Sequence, residues 1–246
     1  ICLGETYMWA IAATAIGVGG ATAIGAIIGF FVGNIPDKGR DTIMGFAAGM
    51  MLAAASVGLI IPAVDRVGLE GIWQVVIGMF CGAFFLYALD KLLPHKHINE
   101  KVRKAELFAA AIAMHNLPEG LAAGVGFATG DVGGAVALSL GIALQNIPEG
   151  MIIIAPLIFA GVKPAKTLAI ACATGLFEVA GTFIGFYAAS ASEVMLPFCL
   201  SFAGGMMLFV IADEMIPETH SGMNGTYSSF AMIFGFLLML ILDAAL

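Results

Sequence analysis

Hydrophobic residues run along this chain in long stretches, broken at regular intervals by proline, glycine and charge. The breaks predict eight apolar segments, near 7–33, 41–64, 71–93, 105–128, 134–160, 166–189, 194–217 and 227–245. Each is close to the roughly 20 residues that cross a hydrocarbon core. The connectors at 34–40, 65–70, 94–104, 129–133, 161–165, 190–193 and 218–226 are too short to be domains, so residues 1–246 are expected to form one transmembrane domain. Helix is the expected element throughout. An open sheet would leave backbone groups unpaired in lipid, and barrel strands are short and alternating. The fold class is therefore an all-α integral membrane protein of eight transmembrane helices.

Composition agrees with that pattern. Hydrophobic residues make up 61% of the chain before glycine is counted, and charged residues only 11%. Soluble domains average about 45–50% and about 25%, so too little polar surface remains here to cover a water-soluble core. The 32 glycines follow no Gly-X-Y period, which excludes collagen, and so apolar a chain is not disordered. The four cysteines, Cys2, Cys81, Cys172 and Cys199, form no C-x-x-C pair and read as small buried hydrophobes. The chain starts at Ile1 rather than methionine, which points to a missing leading segment.

Charge matters through its distribution. Lys38, Arg40, Lys91, Lys96, Lys101, Arg103, Lys104, Lys163 and Lys166 belong to the first, third and fifth connectors or their flanks, leaving only Arg66 for the other side. The positive-inside rule then puts those connectors, including the 94–104 loop, in the cytoplasm and both termini outside. The Asn224-Gly225-Thr226 sequon falls on the cytoplasmic side, where it is not glycosylated.

The chain also repeats itself. Residues 45–52 read GFAAGMML and residues 201–208 read SFAGGMML, identical at six of eight positions. HNLPEG at 115–120 is matched by QNIPEG at 145–150. The matched segments cross in opposite directions, which predicts inverted repeats in a 3+2+3 arrangement, a transporter architecture.

Depth singles out one cluster. His115, Asn116, Glu119, Gln145, Asn146, Glu149 and Glu178 all fall within about 6 Å of the midplane, at 1.5 Å rise per residue. No lysine or arginine lies in the core of any span. Insertion scales charge each such acid roughly 2.5–3.5 kcal/mol, and a bound cation offsets that while engaging the neutral ligands. At about 100° per residue, Glu119 lies between His115 and Asn116, and Glu149 between Gln145 and Asn146. Two facing helices then make two pockets sharing both glutamates. One has His115 and Gln145; the other has Asn116 and Asn146, within reach of Glu178. Pro118 and Pro148 are expected to kink the helices and free the carbonyls of Met114 and Leu144. Gly120 and Gly150 permit close backbone approach.

Imidazole, carboxylate and amide oxygen without thiolate suit Zn²⁺, Fe²⁺, Mn²⁺ or Co²⁺ better than Cu⁺. Neutral amide ligands favour an ion that can also leave, hence passage over storage. Both unshared asparagines being neutral, three carboxylates and two divalent ions sum to +1. One tightly held ion and a weak or absent second are therefore expected.

These motifs resemble the ZIP (Zrt-, Irt-like protein) family of metal transporters, in particular its GufA-like prokaryotic branch. The carriers of the likeness are HNLPEG, QNIPEG, Glu178 and DEMIPETH at 213–220. The resemblance implies uptake of Zn²⁺ and related divalent metals, Cd²⁺ among them, across the cytoplasmic (inner) membrane by alternating access, and a homodimer. It implies a primary site of His115, Glu119, Gln145 and Glu149, with Asn116, Asn146 and Glu178 building the second. Related sequences often carry aspartate where this chain has Asn146. The family's third-to-fourth loop is often long and His-rich, whereas 94–104 holds only His95 and His97, so this loop is expected to be incomplete.

Other candidates lie toward the ends of the spans. Asp65 and Asp243 are candidate entrance residues, by focusing negative potential. Asp213, Glu214, Glu218 and His220 are candidate release ligands. Met50, Met51, Met206 and Met207 read as pliable packing. A passive divalent-cation channel is the main rival reading. An intramembrane zinc enzyme would need H-E-x-x-H, which is absent, and no phosphate-binding loop supports an ATP-driven pump. Divalent ions and the bilayer are the expected partners, with no nucleic acid.

Overall fold

The computed structural model describes residues 2–33, 35–92, 100–221 and 224–246, with side chains for 8–33, 35–89, 91–92, 113–221 and 224–246. The expected loop at 94–104 falls mostly outside the described residues. Among the described residues there are helices and no strands. They are α1 (Cys2–Val32), α2 (Asp37–Ala53), α3 (Ile61–Leu92), α4 (Glu100–Ala128), α5 (Val132–Phe159), α6 (Pro164–Ser190), α7 (Leu196–Val210), α8 (Ile216–His220) and α9 (Gly225–Ala245). π-helical segments, Ala54–Ile60 and Ile211–Met215, join α2 to α3 and α7 to α8.

Among the described residues, six helical stretches are long and apolar enough to cross a membrane: Met8–Val32, Asp37–Leu89, Val132–Phe159, Pro164–Ser190, Leu196–His220 and Gly225–Ala245. The second is 53 residues long and bends inside α3 at Gly68, where φ is 61° and ψ −169°. A side chain there would strain the backbone. The expected connector at 65–70 thus shrinks to one hinge residue, because keeping the flanking backbone helical leaves fewer amide groups unpaired near lipid. α4 runs through Pro118 and α5 through Pro148 as continuous helices.

The two π segments went unforeseen, yet each has a visible cause. Ala54–Ile60 ends two residues before Pro62, and Ile211–Met215 two residues before Pro217. Proline lacks an N–H and clashes with the carbonyl four residues back, and a widened turn relieves both problems. Ser56 Oγ also donates to the Leu52 carbonyl at 2.7 Å within the first of them.

Packing divides the helices into two bundles. The most extensive contacts are α4 with α6, α3 with α7, α1 with α5 and α2 with α9, followed by α1 with α6, which joins α1, α4, α5 and α6 into one group. Glycine permits these approaches. A methyl at Gly120 would collide with the Glu178 carbonyl of α6, and one at Gly150 with the Thr22 carbonyl of α1. Large apolar side chains face outward instead, among them Trp9, Phe31, Phe80, Phe84 and Phe230. Cys81 is exposed rather than buried; where the surrounding solvent is hydrocarbon, an outward apolar side chain carries no hydration cost. Met50, Met51, Met206 and Met207 are fully buried in the main hydrophobic core.

Candidate metal centre

α4 and α5 carry the two hexapeptides side by side, and α1 and α6 close over them. Asn116, Glu119, Gln145, Asn146 and Glu178 are at most 1% exposed, while His115 and Glu149 are partly open. Gln145 Nε2 donates to Glu119 Oε1 at 2.7 Å, linking α5 to α4. Asn146 Nδ2 donates to Glu178 Oε2 at 2.5 Å, linking α5 to α6. Thr22 Oγ1 on α1 donates to the other oxygen of Glu178. Glu119, Glu149 and Glu178 lie within electrostatic reach of one another.

What these bonds leave over defines the chemistry. Glu119 Oε2, Gln145 Oε1, Asn146 Oδ1 and Glu149 Oε1 are buried acceptors with no donor, and Asn116 Nδ2 is a buried donor with no acceptor. An unmade hydrogen bond on a buried polar atom costs about 1–3 kcal/mol. These five are most of such atoms among the described residues; the other two are Arg40 Nε and Ser228 Oγ. Four unpartnered oxygens on two neighbouring helices make a constellation suited to a hard or borderline cation. Among the described residues no three His, Cys, Asp or Glu side chains already cluster as a cation cage. Two of the candidate ligands are amides, and Glu178 is engaged inside the protein.

His115 is held from across the molecule. Its Nε2 lies 2.6 Å from Glu214 Oε2, in the π segment Ile211–Met215. Glu149 and Glu218 are also within electrostatic reach of the ring. The sequence groups Glu214 with Asp213, Glu218 and His220 as candidate release ligands, and its contact with His115 was not legible there. Glu214 lies in the π segment, whose turn holds more residues than an α-turn. Thr22 was missed for another reason: a threonine in an apolar helix carries no signal of its own.

The remaining candidates stay apart. Asp213 is exposed, and both ring nitrogens of His220 have partners, Nε2 with Ser229 Oγ at 3.1 Å and Nδ1 with the Ile216 carbonyl at 3.0 Å. Asp65 is exposed beside the Gly68 bend, and half-buried Asp243 lies within reach of Asp131 at the start of α5. Arg66 donates to the Thr129 carbonyl at 2.9 Å, tying the Gly68 corner to the turn after α4.

Long apolar helices around a buried, acidic, donor-poor centre define a multi-pass membrane protein. The chain belongs to the ZIP zinc transporter family, whose profile, ZIP Zinc transporter, matches residues 95–243. It is similar to Zinc transporter ZIPB of Bordetella bronchiseptica, at 35% identity over 240 residues covering 92% of this chain and 78% of that protein. It is also similar to Zinc transporter GufA of Myxococcus xanthus, at 34% identity over 242 residues covering 93% and 95%. Zinc transporter ZupT of Chlorobaculum parvum is 30% identical over 241 residues, covering 87% and 89%.

Proposed function

We propose that this chain carries Zn²⁺ and related divalent ions (Fe²⁺, Mn²⁺, Co²⁺, Cd²⁺) into the cytoplasm through the α4–α5 centre by alternating access. The four donorless oxygens of Glu119, Gln145, Asn146 and Glu149 carry this reading. They need positive charge, and no basic side chain lies in the membrane core to supply it. His115 completes the primary set. A carboxylate on one nitrogen of a ligating histidine fixes its tautomer and raises the basicity of the other, a role Glu214 fills.

The architecture read here has eight spans with both termini outside, the Asp37–Leu89 stretch counting as two about Gly68. Inverted repeats are supported by a constant register. Gly49 and Gly205, Gly19 and Gly175, and Thr22 and Glu178 are each separated by the same 156 positions. Exchanging α1 with α6, α2 with α7, α3 with α9 and α4 with α5 turns the α4–α6 contact into α1–α5 and α3–α7 into α2–α9, and leaves α1–α6 as it is. The bundle of α1, α4, α5 and α6 would then move against α2, α3, α7 and α9. His115–Glu214 and Arg66–Thr129 both cross between them. By family likeness the protein sits in the cytoplasmic (inner) membrane as a homodimer.

Zinc uptake into proteoliposomes tests this. Saturable flux that Glu149→Ala or His115→Ala abolishes is expected, with high-affinity zinc binding lost and the protein still folded. Flux that never saturates would favour a passive channel. Unchanged binding in either variant would sink the α4–α5 centre.

A further inference from the structure

Glu178 sits where α1, α5 and α6 meet, and both of its oxygens are already taken. Thr22 Oγ1 donates to Oε1, and Asn146 Nδ2 to Oε2 at 2.5 Å. Asn146 Nδ2 also lies 3.4 Å from the Val18 carbonyl of α1. All three side chains are at most 1% exposed. α1 comes this near because Gly19 and Gly175 face each other, each placed so that a methyl would collide with the other's carbonyl. In the repeat register Thr22 and Glu178 are equivalent positions. One half of the molecule supplies an acid and the other supplies its donor.

We propose that Thr22 and Asn146 close the second pocket from within, so that each protomer binds one divalent ion, with Thr22 as the positioning residue. The inference rests on the central site being a cation site. An ion in the second pocket would need Glu178, whose charge is the pocket's sole unshared one. To reach it, the ion must displace two hydrogen bonds to a carboxylate, which are stronger than bonds between neutral groups. One of the displaced donors, Asn146, is itself an expected ligand of that ion. The first pocket is less closed: Gln145 donates to Glu119 Oε1 and His115 meets Glu214, yet Glu119 Oε2, Gln145 Oε1 and Glu149 Oε1 stand without donors, whereas both oxygens of Glu178 are taken. Two pockets that look alike by sequence thus differ in readiness. One awaits a cation, and in the other hydrogen bonds stand in its place.

Counting bound metal tests this. The full chain in detergent is dialysed to equilibrium against graded Zn²⁺, and zinc per protomer is measured by elemental analysis for wild type, Thr22→Val and Thr22→Ser. One zinc is expected for the wild type and for Thr22→Ser, which keeps the hydroxyl. Thr22→Val keeps the shape but leaves Glu178 Oε1 without a donor. It should bind a second zinc with affinity raised about tenfold, the scale of one charge-assisted hydrogen bond. Two zincs in the wild type at the lowest saturating concentration, a Thr22→Val count equal to wild type, or Thr22→Ser matching Thr22→Val would overturn the proposal. If Thr22→Val does not fold, the wild-type count alone decides. Glu149→Ala separates the two levels of the argument. Two wild-type zincs, both lost in that variant, sink only the closure, whereas zinc binding unaffected by it sinks the central site.

Discussion

His115 on α4 and Glu214 in the π segment after α7 are 99 positions apart in sequence, and 2.6 Å separates Nε2 from Oε2. The pair joins the ligand-bearing bundle to the other bundle at the point where an ion would be received. Glu214→Gln keeps the size and removes the charge that supports the imidazole. Zinc affinity should fall about 10- to 100-fold, the usual cost of losing a carboxylate behind a ligating histidine. Calorimetric titration of the purified variant reads this directly, and an unchanged affinity would reduce the pair to packing.

Acidification should weaken binding. Glu119, Glu149 and His115 must be deprotonated to ligate, so protons compete with the metal and affinity rises with pH. Free imidazole titrates near 6.5, which puts the steepest change between about pH 7.5 and 5.5. Zinc dissociation constants across that range should increase as pH falls; a flat profile would exclude these ligands.

Asn146→Asp replaces the donor facing Glu178 with a second carboxylate. Two acids then stand where a 2.5 Å hydrogen bond was, and a cation becomes the simplest remedy for their repulsion. With four carboxylates against two divalent ions the cluster is neutral. The variant should therefore hold a second ion and release it slowly, lowering turnover. Anomalous diffraction at the zinc edge, paired with uptake rates, checks both halves of the expectation.

Helix approach gives a stability prediction. Gly150→Ala sets a methyl against the Thr22 carbonyl, whereas Gly17→Ala meets nothing within 4 Å. The first should cost about 1–3 kcal/mol through overpacking. The second should be neutral or stabilising by about 0.5–1 kcal/mol, since alanine is the better helix residue. Thermal unfolding in detergent should rank them in that order.

Much of this could be read before any fold was known, because hydropathy and charge report depth directly. Glu119, Glu149 and Glu178 stood out as acids in apolar stretches, and the paired hexapeptides placed two of them together. The two π segments could not be read that way, since hydropathy is blind to one extra residue in a turn. Pro62 and Pro217, each two residues past a π segment, were the available signals. The contact between Glu214 and His115 went unread for that reason. Thr22 was hidden more deeply: its identity is unremarkable in a helix, and only the 156-position register ties it to Glu178.

The bend at Gly68 gathers the corner of α3 into one place. It is the single residue inside α3 with non-helical geometry, so the corner has no slack to lengthen or fold away. Glycine is the residue that tolerates that geometry, so the whole change of direction rests on one backbone position. Arg66, two residues before the bend, grips the Thr129 carbonyl of the opposite bundle. One side chain two residues from the bend thus fastens this corner to the turn after α4.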